Sequence, residues 1–368
     1  MNTVGLANEQ VFAEVKRLCL MGLDSTTLRQ RVTERLRSAV PFDGYVAFTM
    51  DPSSGLITHA LVEEMGDESG LRVFLEHVYF EDDILEFNWM VQNRLPVGLL
   101  SEATGGKLEL APRYRELQAP AGLGYELRGA FSTGTQLWGG LCLSREKGRP
   151  DFAAREVALM RRVAPHLGAG LRAATLQREL HDDQEDSDDA AGVLVLDGRG
   201  TKIQHNAAAE RRLQELGDLG ESWREGEGLP APVWTMLGAL KRSLKPETDG
   251  DLNGSPHLRV RARSGRWLTL QASRTEPTHT RPAESVVIIA PAGPKEVLRL
   301  SAIAYGLSPR EQEVVDLVVR GASTRRISQT LYISEYTVKD HLKNISGKVG
   351  VRGRRALVKQ LYLDTILP

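Results

Sequence analysis

Tyr336, Lys339, Asp340 and Lys343 recur at a spacing that puts them on one arc of a helix at ~100° per residue. An aromatic ring, two ammonium groups and a carboxylate on one face can bond to base edges and phosphates, as a helix in a DNA major groove must. The opposite arc holds Val338, Leu342, Ile345 and Val349, a stripe fit for burial. Lysines also decorate any solvated helix, so the pattern gains meaning only from the elements that position it.

Those elements are legible in the residues before it. Ser308 precedes Pro309 and stands three residues ahead of Glu311, which spells a capping box. Gly321 suits a left-handed stop. Ser323 then caps a short helix, TRRISQTL, with Ile327 and Leu331 at i, i+4. Tyr332-Ile333 makes a tight turn, and Ser334 caps the helix EYTVKDHLKNISGKVG. A last helix, RRALVKQLYLD, carries Leu357, Val358 and Leu361 on one face.

The string LSPREQEVV…GASTRRISQTLYISEYTVKDHLKNISGKVGVRGR resembles the LuxR/FixJ-type helix-turn-helix domain over one contiguous stretch. The resemblance runs through Arg310-Glu311, Gly321, Ile327, Ile333-Ser334, Thr337-Val338-Lys339, His341, Ile345, Lys348 and Arg354. It implies an all-α, four-helix C-terminal domain over 300–368 that binds double-stranded DNA as a transcription regulator. It also implies that Lys339, Asp340 and Lys343 face bases or nearby phosphates, with Thr337 and His341 near the backbone. Arg325, Arg326, Ser334 and Tyr336 complete the expected contact surface. Three residues depart from the family pattern. Ser328 stands where alanine is usual and is small enough to be tolerated. Gly347, inside the recognition helix, weakens its end by roughly 1 kcal/mol relative to alanine. Asp340, where many relatives are neutral, can accept a bond from a cytosine amino group and so narrow which operators bind.

The composition agrees with a protein that meets nucleic acid at one end. Residues 301–368 carry 11 Lys/Arg against 6 Asp/Glu, while the whole chain of 368 residues sums to −1, so the body is mildly acidic. Its 41% hydrophobic content suits two or three packed domains. Cys19 and Cys142 are too few for a disulfide framework, and His77, His205 and His257 show no ligand spacing, so neither metal nor other cofactor is expected. No nucleotide loop or nucleophile elbow appears, and the expectation is not an enzyme. A polar N-terminus and no run of ~18 apolar residues point to a soluble, cytoplasmic chain with no membrane partner.

Two seams divide the chain. His181–Asp189 (HDDQEDSDD) has no large apolar side chain, and Pro291 and Pro294 punctuate the second seam. This leaves segments of 1–180, 190–292 and 300–368, with no repeat of fixed period. The first opens with helical spacing at Val11, Val15, Leu18 and at Leu28, Val32, Leu36. Strands follow at Gly44–Asp51 and Leu56–Val62. ELRGAFST and QLWGGLCLS flank Gly134-Thr135 as a second hairpin, and Asp151 offers an N-cap for a long helix. This α+β order resembles a GAF-type sensor domain, and LPVGLLSEATGG…RYRELQAPAGLGYELRGAF is similar to the front domain of many LuxR-type regulators. The second segment reads strand, turn at Asp197-Gly198, strand, and helix capped by Asn206, with strands at Leu258–Ala262, Trp267–Ala272 and Ser285–Ile289. It resembles an α+β PAS domain.

A phosphorylated receiver needs acids at the ends of successive strands, and Glu14, Asp24, Glu34 and Asp43 follow no strand pattern, which argues against phosphorelay control. Ligand control is the better reading. Eight of the chain's aromatics fall within 79–138, and Tyr79, Phe87, Trp89 and Phe131 are candidates to line a pocket for an apolar or aromatic small molecule. Trp89, in a loop-like stretch, leads that set; the same rings can simply fill a core. The alternative gives the front domains only dimerisation or the docking of a partner protein. RNA polymerase is a candidate partner, and a homodimer is expected because one helix-turn-helix unit contacts little DNA. Its interface could be Leu357, Val358 and Leu361. It could also be the stripe Met160, Ala164, Leu167, Leu171 and Ala174, which can equally pack on its own sheet.

Overall fold

The computed structural model describes residues 3–63, 74–75, 83–177, 190–216, 229–244 and 255–363. They fall into two compact units: Met1–Ala174 with Ser187–Pro291, and Thr175–Asp186 with Ala292–Pro368. The acidic stretch 181–189, Tyr79 and His77 lie outside the described residues.

The first unit opens with α1 (Thr3–Leu20) and α2 (Ser25–Arg37), whose Val11, Val15, Leu28, Val32 and Leu36 are buried at helical spacing. Asp24 caps α2, accepting from the Thr26 and Thr27 N–H groups at 2.9 and 2.8 Å. The hairpin β1 (Gly44–Asp51) and β2 (Leu56–Glu63) follows. Then come α3 (Phe87–Gln92), β3 (Val97–Leu99) and α4 (Leu100–Ala103), followed by a π-helical turn at Tyr114–Gln118. A second hairpin, β4 (Leu123–Thr133) and β5 (Gln136–Glu146), turns at Gly134 with φ +62° and leads to the long helix α5 (Ala154–Thr175). The five strands make one antiparallel sheet in the order β2-β1-β5-β4-β3.

Two adjacent glycines on the central strand let both faces close. A Cβ at Gly139 would meet Leu171 of α5 at 2.8 Å, and one at Gly140 would meet Phe48 and Phe87 at 2.5 and 2.7 Å. The outer face therefore lies under α5, and its stripe of Met160, Ala164, Leu167, Leu171 and Ala174 is buried there rather than free to form an intermolecular seam. Helix α5 begins three residues after the expected Asp151 cap. Glu156 supplies the carboxylate instead, accepting from the Ala153 N–H at 2.6 Å, while Asp151 holds Ser101 and the Phe152 N–H.

The inner face carries ions that the sequence reading missed. Glu126 and Arg128 alternate inward on β4 and meet Arg113 and Asp83. Arg113 Nη2 and Arg128 Nε both donate to Glu126 Oε1 at 2.7 Å, and Arg128 Nη1 reaches Asp83 at 2.5 Å. Gln118 also donates to Glu126. None of the four charged side chains exceeds 3% exposure, so each depends on the others for the solvation it has lost. Burial pushes the Glu126 carboxyl up, but the two guanidiniums overcome it and hold it at about 2. Burial also raises the Cys142 thiol to about 12, so it is an inert core group.

The second sheet comes from β6 (Gly192–Leu196), β7 (Lys202–His205), β8 (His257–Arg261), β9 (Trp267–Arg274) and β10 (Ser285–Pro291). Its order is β7-β6-β10-β9-β8, again antiparallel. Asp197 shapes the first turn by accepting from the Arg199 and Thr201 N–H groups at 2.8 and 2.7 Å. Asn206 caps α6 (Ala207–Glu215), accepting from the Ala209 N–H at 2.8 Å. Helix α7 (Ala231–Ser243) has no counterpart among the sequence-based expectations. It packs on β8, β9 and β10 and also on β2, so one apolar cluster runs through both sheets. Beside it Arg259 donates to Asp51 through Nη2 at 2.8 Å and Nε at 3.1 Å, both side chains buried.

The second unit is helical. Pro294 opens α8 (Pro294–Ala304) at a position where its missing N–H goes unused, and Glu296 accepts from the Gly293 N–H at 2.8 Å. Then come α9 (Pro309–Val319), α10 (Thr324–Leu331), α11 (Glu335–Val349) and α12 (Arg354–Val358). Val314, Val318, Ile327, Val338 and Ile345 form the centre of their core. Leu357 and Leu361 are buried in that same core, so neither is available as the expected dimer contact. Among the described residues, no helix is long and apolar enough to cross a membrane.

Candidate nucleic-acid interface

The helix pair α10–α11 is fixed by serine side chains at its N-termini and by left-handed residues at its C-termini. Ser308 accepts from the Glu311 N–H at 3.3 Å, and Glu311 returns the bond by accepting from the Ser308 N–H at 2.7 Å. Ser323 accepts from the Arg326 N–H at 3.2 Å, and Ser334 from the Thr337 N–H at 3.0 Å. Gly350, at φ +76°, ends α11. Between α10 and α11, Ser328 Oγ donates to the Ile333 carbonyl at 2.6 Å. The serine is therefore more than a tolerated small residue. It ties the turn to the helix before it, and an alanine could not.

With those ends fixed, the two faces of α11 separate as their spacing requires. Val338, Ile345 and Val349 are buried, Leu342 is half-buried, and Tyr336, Lys339, Asp340 and Lys343 are exposed. Of the remaining expected contacts, Arg325, Arg326 and Ser334 are exposed. Thr337 and His341 are half-buried, and the Thr337 hydroxyl lies 2.8 Å from that of Ser334. Gly347 sits on the exposed arc, and a Cβ there would meet nothing within 4 Å. It leaves the end of the helix slim.

Not every cation of this unit is available to a ligand. Lys348 Nζ bonds Glu311 at 2.6 Å and the Gly306 carbonyl at 3.1 Å, locking α11 to the start of α9. Burial pushes the Glu311 carboxyl up, but bonds from Lys348 and Ser308 outweigh it and keep it below the ordinary glutamate value. Arg354 donates to the Ala322 carbonyl, and Arg310 pairs with Glu313. Among the described residues, Arg325, Arg326, Lys339 and Lys343 pair with no acid. Four free cations flanking one exposed helix face are what a phosphate backbone needs.

The aromatic residues expected at a ligand pocket are spread apart. Phe87 is buried on the inner face of the first sheet, edge-on to Phe48 at 4.8 Å and under Arg128 at 5.0 Å. Phe131 is buried on the outer face, beside Gly129 and Met160. Trp89 lies on the short helix α3 rather than in a loop, because Glu86 caps its N–H and that of Asn88, and the residue is 49% exposed. The charged group at Glu126 could have been suspected from ELRGAF, where two opposite charges sit at alternate positions of an otherwise apolar strand.

Residues 305–361 match the family described as bacterial regulatory proteins, luxR family. The spore germination protein GerE of Bacillus subtilis (strain 168) is 44% identical over 55 residues, which is 15% of this chain and 74% of that protein. The transcriptional regulatory protein DegU of Brevibacillus brevis is 48% identical over 52 residues, 14% of this chain and 22% of that protein. A solved structure of the VqsR LBD domain from Pseudomonas aeruginosa covers 45% of this chain and 98% of that one. Its 17% identity and TM-score of 0.33 are too low to bear on fold or ligand.

Proposed function

The chain belongs to the luxR family of bacterial regulatory proteins, DNA-binding transcriptional regulators, and we propose that α11 enters the major groove while the first unit responds to a small molecule. The observation that carries the groove reading is the exposed face of Tyr336, Lys339, Asp340 and Lys343 on a helix whose other face is packed. On this reading Lys339 and Lys343 meet bases or phosphates, Asp340 accepts from a cytosine amino group, and Arg325 and Arg326 meet the backbone. The protein acts as a homodimer on paired half-sites, with RNA polymerase as a partner at the promoter.

Selection of bound duplexes from a random library with the full-length protein tests this. Lys343→Ala is expected to cost ~1–3 kcal/mol of affinity if it reads a base, or to lower the salt slope by about one phosphate if it does not. Unchanged affinity and slope would overturn the placement of α11.

The two sheets are read as GAF-like and PAS-like sensor modules, the strand orders and flanking helices supporting that assignment. A second reading draws on the tight packing of Phe48, Phe87 and Gly140 and gives the first unit only dimerisation or docking of a partner protein. Native mass spectrometry of the purified chain separates the two. A stoichiometric bound small molecule supports ligand control, and its absence together with a dimer mass supports the second reading.

A further inference from the structure

We propose that Tyr332 is a DNA-backbone anchor at the mouth of the groove, a role that rests on the reading of α11 as the groove helix. Tyr332 is the joint between α10 and α11, and its side chain is 95% exposed. Its backbone is left-handed, at φ 53° and ψ 44°. Glycine ordinarily takes such a position, because a Cβ crowds the carbonyl oxygen there, and asparagine tolerates it through local bonds of its amide. Tyrosine bears that conformational cost here without a side-chain contact to offset it: among the described residues no hydrogen bond or ring contact holds its side chain.

The joint is nevertheless built firmly. The Tyr332 N–H donates to the Ser328 carbonyl, Ser328 Oγ donates to the Ile333 carbonyl at 2.6 Å, and Arg310 donates to the Leu331 carbonyl. A strained residue held from several sides and pointed at solvent marks a contact made outside the chain. A second aromatic, Tyr336, stands four residues further on, in the first turn of α11, and is 81% exposed.

The occupant follows from the geometry of helix-turn-helix docking. The first helix of the pair crosses the backbone and the second enters the groove N-terminus first, so the residue joining them sits beside a sugar–phosphate strand. The free cations Arg325 and Arg326 on α10 and Lys339 and Lys343 on α11 favour a polyanion over an apolar protein surface. The Tyr332 ring packs on a deoxyribose, and its hydroxyl donates to a non-bridging phosphate oxygen. A neutral phenol releases no counterion. Its contribution should therefore appear in affinity and not in the salt slope, which separates it from the lysines.

The test uses full-length protein and a duplex recovered by selection with the wild type. Tyr332→Phe removes only the hydroxyl and is expected to weaken binding roughly three- to ten-fold. Tyr332→Asn removes the whole contact while suiting the left-handed backbone. It is expected to weaken binding by roughly ten-fold or more, with a parallel salt dependence and a melting temperature equal to or above wild type. Wild-type affinity in Tyr332→Asn, as a protein-docking role would give, overturns the anchor. A weaker affinity that comes with a lowered melting temperature in both variants overturns it too, by making the role structural. Lys343→Ala keeps the two readings apart. Unchanged binding there removes the groove assignment itself, whereas a loss there with none in Tyr332→Asn removes only the anchor.

Discussion

The two sheets of the first unit share one topology and one apolar cluster, but only the first buries a set of ions beside it. In each, a hairpin comes first, the chain leaves for a helical stretch, and it returns to the far edge so that the last strand enters beside the first. Yet the inner face of the first sheet holds Asp83, Arg113, Glu126 and Arg128, while the second presents Leu258, Leu268, Leu270, Val287 and Ile289 to α6 and α7. The outer faces differ as well. Helix α5 covers the first, whereas Val193 and Ile288 on the second are 36% and 37% exposed. Strand order thus follows from the hairpins and their connections, and what fills a face is set separately, residue by residue.

The ionic face should be the more brittle of the two. Glu126→Leu leaves two buried guanidiniums with the single carboxylate of Asp83, and a loss of about 3–5 kcal/mol is expected in urea unfolding. Replacing all four ions by apolar residues of similar volume is expected to cost far less, because no uncompensated charge remains. The apolar face offers the matching experiment. Leu270→Ala should lose about 2–5 kcal/mol through its cavity alone, with no rescue by a second substitution nearby. Equal rescue in both sheets would erase the distinction.

Acid should find the same difference. Glu126 has a folded-state value of about 2, depressed from 4.5, so its contribution is fully present above 4.5 and is lost as pH falls toward 2. Asp197 is also held below the ordinary aspartate value, by the Thr201 N–H first, but at an exposed turn where solvent screens the effect. Amide exchange followed from pH 5 downward is therefore expected to lose protection in β4 and β5 before β9 and β10. The reverse order would contradict the role given to Glu126.

A smaller effect is expected where the sheets meet. Asp51→Asn keeps the shape of the Arg259 contact and removes its charge, at a cost of about 2 kcal/mol. If both sheets unfold as one cooperative body, the midpoint shifts and the transition stays single. If they are only loosely joined, two transitions separate, and the continuous apolar cluster would not be coupling them.

How much of this was legible depended on the range of the interactions. The caps at Ser308, Ser323, Ser334 and Asn206 and the turn at Gly134 rest on neighbours within a few residues, and the sequence displays them. Helix α7 escaped because Pro230 and Pro232 open it and Gly238 interrupts it, so local propensity argues against a helix that two sheets then stabilise. Asp151 was a sound cap by type, but its carboxylate was taken by Ser101, 50 residues away. The cluster around Glu126 joins residues 2 to 45 apart, and the alternation in ELRGAF turns two of the charges inward without naming Asp83 and Arg113 as their partners. Phe87 and Phe131 likewise read as one aromatic set, and only the fold parts them, α3 laying Phe87 on the inner face while alternation along β4 turns Phe131 to the outer one.

The smallest effect concerns the bare face, and it bears hardest on the contrast between the sheets. Ile288 lies on β10, the strand that occupies the central place β5 holds in the first sheet, and it pairs with Val193 across the ladder. The equivalent face of β5 includes Leu141, buried to 2% exposure, so Leu141→Thr places a hydroxyl in a packed layer and should cost about 2–3 kcal/mol. Ile288→Thr exchanges one β-branched residue for another in partial contact with water, and a change within about 0.5 kcal/mol is expected. Unfolding midpoints at several protein concentrations check both. A loss at Ile288 that grows with concentration would mean that a second chain covers this face in solution. The two sheets would then differ not in whether their outer faces are covered but in what covers them, a helix of the same chain for one and a partner for the other.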